Sequence, residues 1–403
     1  MIKTRWLFIV IFGLALIFRL GIAYFLVTPK SVDTDSVYKI ATEIEQGSMV
    51  YNGAWKYYNN PPVWMWIIRL LLIFISVNNS SLAFASKLPF IFSDLGIGLL
   101  IYYIARKNKL KTSISCFFAA LYLFNPLSLL ISSYQGQQES LSLLFILASV
   151  YIFMNEKSYW KISYFVFSAL LLGISATIKL IPLSLIPAFI IALWKRHFPD
   201  NILTLFRSSI IFVILTLLPL VLVFIPYIPI WNSVVERVFN YIPLSGVWGL
   251  SSIDIPTNIG FSIPKWILIK DYYLNVRIVL LLSYGIILFK RFNLLESVIV
   301  VFLTPLVFSS FLAAQHLLWF IPFLIIWLIY NWKKHTMFIF ILFSVVSGGM
   351  CVLAYAGFLY WDKPFTLIIR KFYFWFMFLS FILSILLWCE FILQNKWKKI
   401  FMR

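Results

Sequence analysis

Leu7–Val27 reads LFIVIFGLALIFRLGIAYFLV, with Arg19 as its one charged residue. A helix of that length crosses a bilayer core of roughly 30 Å. The run is too long for a signal-peptide core, Arg19 interrupts it, and no small-residue cleavage site follows. It therefore reads as an uncleaved first span. Comparable runs recur along the chain. Of 403 residues, 62% are hydrophobic and 12% charged, and mean hydropathy is +0.95. Such a composition excludes a soluble globule. The runs do not alternate, which excludes a β-barrel. Helices remain, because lipid offers no partner to an open backbone.

The net charge is +19, but its distribution argues against nucleic acid as a partner. Basic residues fall in short clusters beside the apolar runs: Lys3/Arg5, Arg106–Lys111, Lys157/Lys161, Lys195/Arg196, Lys290/Arg291, Lys333/Lys334 and the tail from Lys396. The positive-inside rule puts these in the cytoplasm. About twelve spans result, near 6–27, 84–105, 114–133, 138–154, 161–178, 179–194, 203–228, 266–289, 294–311, 317–332, 336–357 and 372–392, with both termini cytoplasmic.

The run Val63–Val77 is left over. It is short, contains Arg69, and as a full span would move the Arg106–Lys111 cluster outside. It is expected to lie in the outer interface or dip part-way in, a thirteenth span being the alternative. The predicted fold class is thus an all-α polytopic membrane protein of about 12–13 transmembrane helices, with 1–403 as a single integral-membrane domain. Two extracytoplasmic segments are long, 28–83 and 229–265. Cys116, Cys351 and Cys389 sit in apolar runs with no disulfide or metal-ligand spacing. Gly348-Gly349 reads as a site of close helix packing.

The first long segment contains Val32–Pro62, VDTDSVYKIATEIEQGSMVYNGAWKYYNNPP, with Asp33, Asp35, Glu43 and Glu45. Val37, Ile40, Ala41 and Ile44 recur at helical spacing, predicting an amphipathic helix over Ser36–Gln46. Asp33 or Asp35 would cap it, and Gly47 would end it. A carboxylate at this boundary also suits a general base acting on a hydroxyl.

Other polar residues gather on the same outer side. At membrane depth, Arg19 and Asp94 lie inside apolar runs, and Arg19 is expected to pair with Asp94 or with backbone of a neighbouring span. Gln135–Glu139 (QGQQE) is either a polar turn or a set of partners for sugar hydroxyls. Lys179 stands alone in an apolar stretch, where it either snorkels to headgroups or binds a lipid phosphate. Gln315 and His316 open QHLLWFIPFL, as interfacial tips or as phosphate and sugar ligands. Arg237, Asn240, Tyr241 and Trp248 belong to the second long segment, where aromatic residues are also ordinary interface residents.

In this order the segments resemble the GT-C superfamily of integral-membrane glycosyltransferases, in particular bacterial multi-spanning members using polyprenyl-phosphate sugars. The resemblance is carried by DTDSVYKIATEIEQGSMVY, YYNNPPVWMWI, SKLPFIFSDLGIGLLIYYIARK, NPLSLLISSYQGQQES, GISATIKLIPLSLIPAF and QHLLWFIPFL, over roughly residues 5–330. It implies a catalytic acid in the first outer loop, assigned to Asp35 through its spacing to Tyr38, with Asp33 as fallback. It implies donor-phosphate contacts from Lys179, His316 and Arg237. Sugar or acceptor contacts fall to Gln137, Glu139, Tyr38, Gln315 and Trp248. Glu139 stands where the family often has Asp.

No cofactor is called for. Some branches of the family use a divalent metal, others none, and no metal site is predicted. The implied reaction is inverting transfer of a monosaccharide from a polyprenyl-phosphate carrier to an acceptor hydroxyl. It would occur on the outer face of a plasma-membrane protein, the acceptor being a glycan, glycolipid or protein. A transporter or flippase of lipid-linked glycan is the competing class. A surface-polysaccharide polymerase or ligase, using a lipid-pyrophosphate donor, is another.

Overall fold

The computed structural model describes residues 2–25, 32–53, 58–77, 81–155, 162–197, 201–242, 272–309, 314–359 and 366–394. Among these there are helices and turns and no strand. The chain is an all-α multi-pass membrane protein. Six helices are individually long and apolar enough to cross a membrane, and the broken pair Thr112–Leu123 and Pro126–Gln135 makes a seventh if counted as one span. Six shorter apolar helices accompany them. Each expected span coincides with one of these elements. Several are shorter than the apolar run predicts, because proline or polar residues break the run. Asn125-Pro126 interrupts one, and Pro182 places a 3₁₀ turn, Ile181–Leu185, ahead of Ile186–His197.

The helices fall into two compact units. The first contains α1 (Ile2–Phe25), α2 (Val32–Glu45), α3 (Val63–Leu72), α4 (Ser81–Lys107), α5 (Thr112–Leu123), and α7 (Glu139–Asn155) through α11 (Trp231–Val234). Its helices approach closely where side chains are small. A Cβ on Gly173 of α8 (Ile162–Ala176) would stand 2.3 Å from the Thr216 carbonyl of α10 (Ile202–Phe224). Between α7 and α8, buried serines pair across the interface, Ser142 with Ser175 at 2.7 Å and Ser149 with Ser168 at 3.1 Å. Small polar residues of this kind let backbones meet and satisfy their own hydroxyls in an apolar setting.

The second unit contains Phe124–Leu130, with α6 (Pro126–Ser128), and α12 (Tyr272–Lys290), α13 (Leu294–Phe308), α14 (Ile321–Tyr330), α15 (Lys334–Leu359) and α16 (Thr366–Gln394). Asn293 and Glu296 form a capping box that starts α13, satisfying backbone groups the first turn would otherwise leave open. α14 is buried along nearly its whole length and α13 almost equally. Gly348 admits Pro126, whose Cβ would lie 2.3 Å from a Cβ on the glycine, and Gly349 admits Phe376. The glycine pair serves close packing as expected.

Two helix boundaries differ from the sequence expectation. α2 begins at Val32, not Ser36. Asp33 and Asp35 are therefore within its first turn rather than capping it, and the helix dipole favours acids there. Gly47 ends the helix as expected, with φ +72° and its N–H on the Ile44 carbonyl at 3.1 Å. Secondly, helical geometry continues from α10 past Pro229 to Phe239, through a 3₁₀ segment, α11 and a π-helical turn. The first third of the expected 229–265 loop is thus structured, because Pro226 and Pro229 tighten the helix without ending it. The leftover run Val63–Val77 forms only the ten-residue α3.

Candidate functional site

The site is built on one buried ion pair. Arg19 of α1 and Asp94 of α4 are both fully buried, with Nη1 2.5 Å from Oδ2. Tyr122 of α5 donates to Asp94 Oδ1 at 2.7 Å, Ser132 donates to Oδ2, and Arg19 Nη2 donates to the Leu123 carbonyl at 2.8 Å. A buried pair survives only when its hydrogen-bonding positions are used, and here α5 and the segment carrying Ser132 supply partners. The pairing expected from the sequence is present. It also fixes Ser132, which lies in the π-helical stretch Leu129–Gln135. Such turns are rare and often occur at functional sites.

That stretch ends in Gln135-Gly136-Gln137-Gln138-Glu139. Gly136 has φ +72°, and the Gln137 N–H returns to the Ile131 carbonyl at 2.9 Å. Lys87 of α4 lies over the glycine: a Cβ on Gly136 would stand 2.9 Å from Lys87 Cγ. Lys87 is 2% exposed, and no carboxylate pairs with it among the described residues. Buried polar atoms without a hydrogen-bond partner among the described residues crowd the same turn: Gln135 Nε2 and Oε1, Gln138 Oε1 and Glu139 Oε2. Each such atom costs about 1–3 kcal/mol when nothing meets it. A polar ligand or water would remove that cost.

Lys179 follows α8 at the bend before the Ile181–Leu185 turn. Its Nζ is 2.5 Å from Glu139 Oε1, with side chains 14% and 0% exposed. The structure therefore joins two residues to which the sequence assigned separate roles. Glu139 neutralises Lys179, whereas Lys87 has no such partner among the described residues. Lys87 was missed by sequence reasoning. Its signal was a lysine within the apolar run after Ser81, among residues already quoted for the resemblance.

α2 packs on α4. The Tyr38 hydroxyl meets the Ala83 backbone. Burial pushes the Tyr38 phenol up, against a smaller downward pull from that backbone contact, so it stays a neutral hydroxyl. Asp35 lies one turn before Tyr38, and Lys87 one turn after Ala83. Asp35 is 48% exposed and pairs with Lys39 at 2.5 Å. Asp33 belongs to the same first turn, but its side chain lies outside the described residues.

Arg237, from the Val235–Phe239 turn, donates to the carbonyls of Val50 at 3.0 Å and Gly53 at 2.9 Å. This fork holds the chain after α2 in place. Buried Glu43 packs so tightly on Gly53 that no Cβ fits between them. Tyr51 and Tyr58 donate to the carbonyls of Asn60 and Pro61 and lead into α3. Burial pushes both phenols up, keeping them neutral donors.

Gln137 is partly exposed at the turn. Gln315 and His316 belong to the second unit, in the 3₁₀ turn Ala314–Leu318, each partly exposed. Trp248 lies outside the described residues.

The all-helical, multi-span fold is GT-C-like. The crystal structure of ArnT from Cupriavidus metallidurans bound to undecaprenyl phosphate has the same fold. It matches with a TM-score of 0.51 over 96% of this chain and 78% of that one, at 14% identity. Residues 23–261 match the family described as GPI transamidase subunit PIG-U, and the chain belongs to that family. It is also 24% identical over 258 residues to GPI mannosyltransferase 1 of Candida albicans, covering 59% of this chain and 61% of that relative. The match thus spans about three fifths of the curated relative's length.

Proposed function

We propose that this protein is a glycosyltransferase that moves a monosaccharide from a polyprenyl-phosphate carrier to an acceptor hydroxyl, inverting the anomeric centre. One observation carries the reading: Lys87 is a buried cation packed on Gly136, with no carboxylate paired to it among the described residues, in a turn full of unmet hydrogen-bonding atoms. Lys87 and Lys179 against Glu139 leave a net charge of one, which matches a phosphodiester rather than a pyrophosphate. The amides of Gln135 and Gln138 suit sugar hydroxyls, as does Gln137. The undecaprenyl phosphate bound by the structural relative supports the same donor class.

In this mechanism Asp35 takes the proton of the acceptor hydroxyl. The oxygen forms a bond to the anomeric carbon as the bond from that carbon to the phosphate oxygen breaks. Polyprenyl phosphate leaves with the electron pair, and Lys87 stabilises the growing charge, an interaction that counts most in the transition state. Lys179 acts with Glu139 behind it. Arg237 serves the site by holding the loop after α2. The protein would reside in the cell membrane with both termini cytoplasmic and the site outward.

The test is transfer from a polyprenyl-phosphate sugar by reconstituted protein. Asp35→Asn should abolish turnover while donor binding persists. Activity within a few-fold of wild type would remove Asp35 from the base role. The family description supports a second reading, a subunit that holds a lipid-linked glycan without turning it over. The ion pairing of both Asp35 and Glu139 favours it. Donor binding with no transfer by the wild-type protein would select this second reading.

A further inference from the structure

A groove of about 410 Å³ lies in the second unit, between α12 and Ile392 of α16. Its walls are apolar, formed by Leu281, Gly285, Ile286, Phe289 and Ile392, and Lys290 stands at one end. α12 is one of the helices long and apolar enough to cross a membrane. Leu281, Leu288 and Phe289 on it are all exposed, as expected of a lipid-facing surface. Gly285 opens the groove, since a Cβ there would meet nothing within 4 Å.

Leu281 to Lys290 is a rise of about 14 Å on a helix, room for a stretch of acyl chain. The charge at the end is positive. Lys290 lies 5.9 Å over the Phe289 ring, a weak hold at an exposed site, and Arg291 follows it. Among the described residues no carboxylate lines the groove. The acid nearest in sequence to Ile392, Glu390, is held by His335 and Thr336.

We infer that this groove seats one acyl chain of an anionic glycerophospholipid, with the lipid phosphate at Lys290. Basic positions between membrane helices recognise acidic headgroups in this way, because the cation meets the phosphate while the chain fills the apolar notch. The site is independent of the proposed transfer reaction.

Native mass spectrometry of the full chain tests it, using detergent-purified protein with equal phosphatidylglycerol and phosphatidylcholine. Wild type should retain phosphatidylglycerol at least fivefold over phosphatidylcholine. Lys290→Gln should bring the ratio near one, and Lys290→Arg should preserve it. Gly285→Leu, which fills the notch, should reduce retention of both lipids severalfold. Equal retention of the two lipids by wild type, or an unchanged ratio in Lys290→Gln, overturns the headgroup assignment. Wild-type retention by Gly285→Leu overturns the groove. The Lys290 pair decides by itself if Gly285→Leu does not fold.

Discussion

Lys87 crosses Gly136 so closely that a Cβ on the glycine would stand 2.9 Å from the lysine Cγ. The glycine also has φ +72°, which costs a residue bearing a Cβ about 1–2 kcal/mol. Gly136→Ala should therefore lower thermal stability in detergent by that amount or more. Donor binding should fall with it, since Lys87 must shift. Unchanged stability would mean that the turn relaxes freely.

Removing the Lys87 charge should separate stability from function. A buried ammonium without a counter-ion opposes folding. Lys87→Met should thus leave the melting temperature equal or higher while raising the apparent KM for a polyprenyl-phosphate donor more than tenfold. A lowered melting temperature with unchanged KM would make Lys87 structural.

Glu139 and Lys179 form a pair in which each partner is costly alone. Lys179→Ala strands a fully buried carboxylate and should cost about 3–5 kcal/mol. Adding Glu139→Gln should recover most of that loss. Denaturation of both singles and the double gives the coupling; additive losses would refute it.

The Arg237 fork predicts a loop effect. Arg237→Gln removes the donors to Val50 and Gly53. Limited proteolysis between residues 46 and 60 should become several-fold faster. Global unfolding should move by no more than about 2 kcal/mol. Unaltered cleavage would show that the Glu43–Gly53 contact holds the loop by itself.

For the anchor network, Asp94→Asn should destabilise by about 3 kcal/mol or more, because Arg19 is then left buried without a counter-charge. Arg19→Met combined with Asp94→Leu should be closer to wild type. Thermal unfolding of both variants checks this.

Apolar run lengths, charge clusters and breakers made the helices legible in the sequence. Pairing of Arg19 with Asp94 was equally legible, because two opposite charges at membrane depth have few other solutions. Less was legible about the site. Lys87 was not singled out, and Lys179 looked isolated. Separation along the chain hid the contact of Lys179 with Glu139, 40 residues away.

Sequence alone thus determined the environment: hydropathy demands helices, and their order carries the GT-C resemblance. It also marked Val32–Pro62 as the acid-rich interval. Only the tertiary structure decided how charge is shared. It pairs Glu139 with Lys179 and sets Arg237 to bracing a loop. Lys87 is left beside Gly136 with no paired carboxylate among the described residues. The physical reason is that compensation of a buried charge depends on what lies within a few ångströms, which is fixed by helix packing and not by position along the chain.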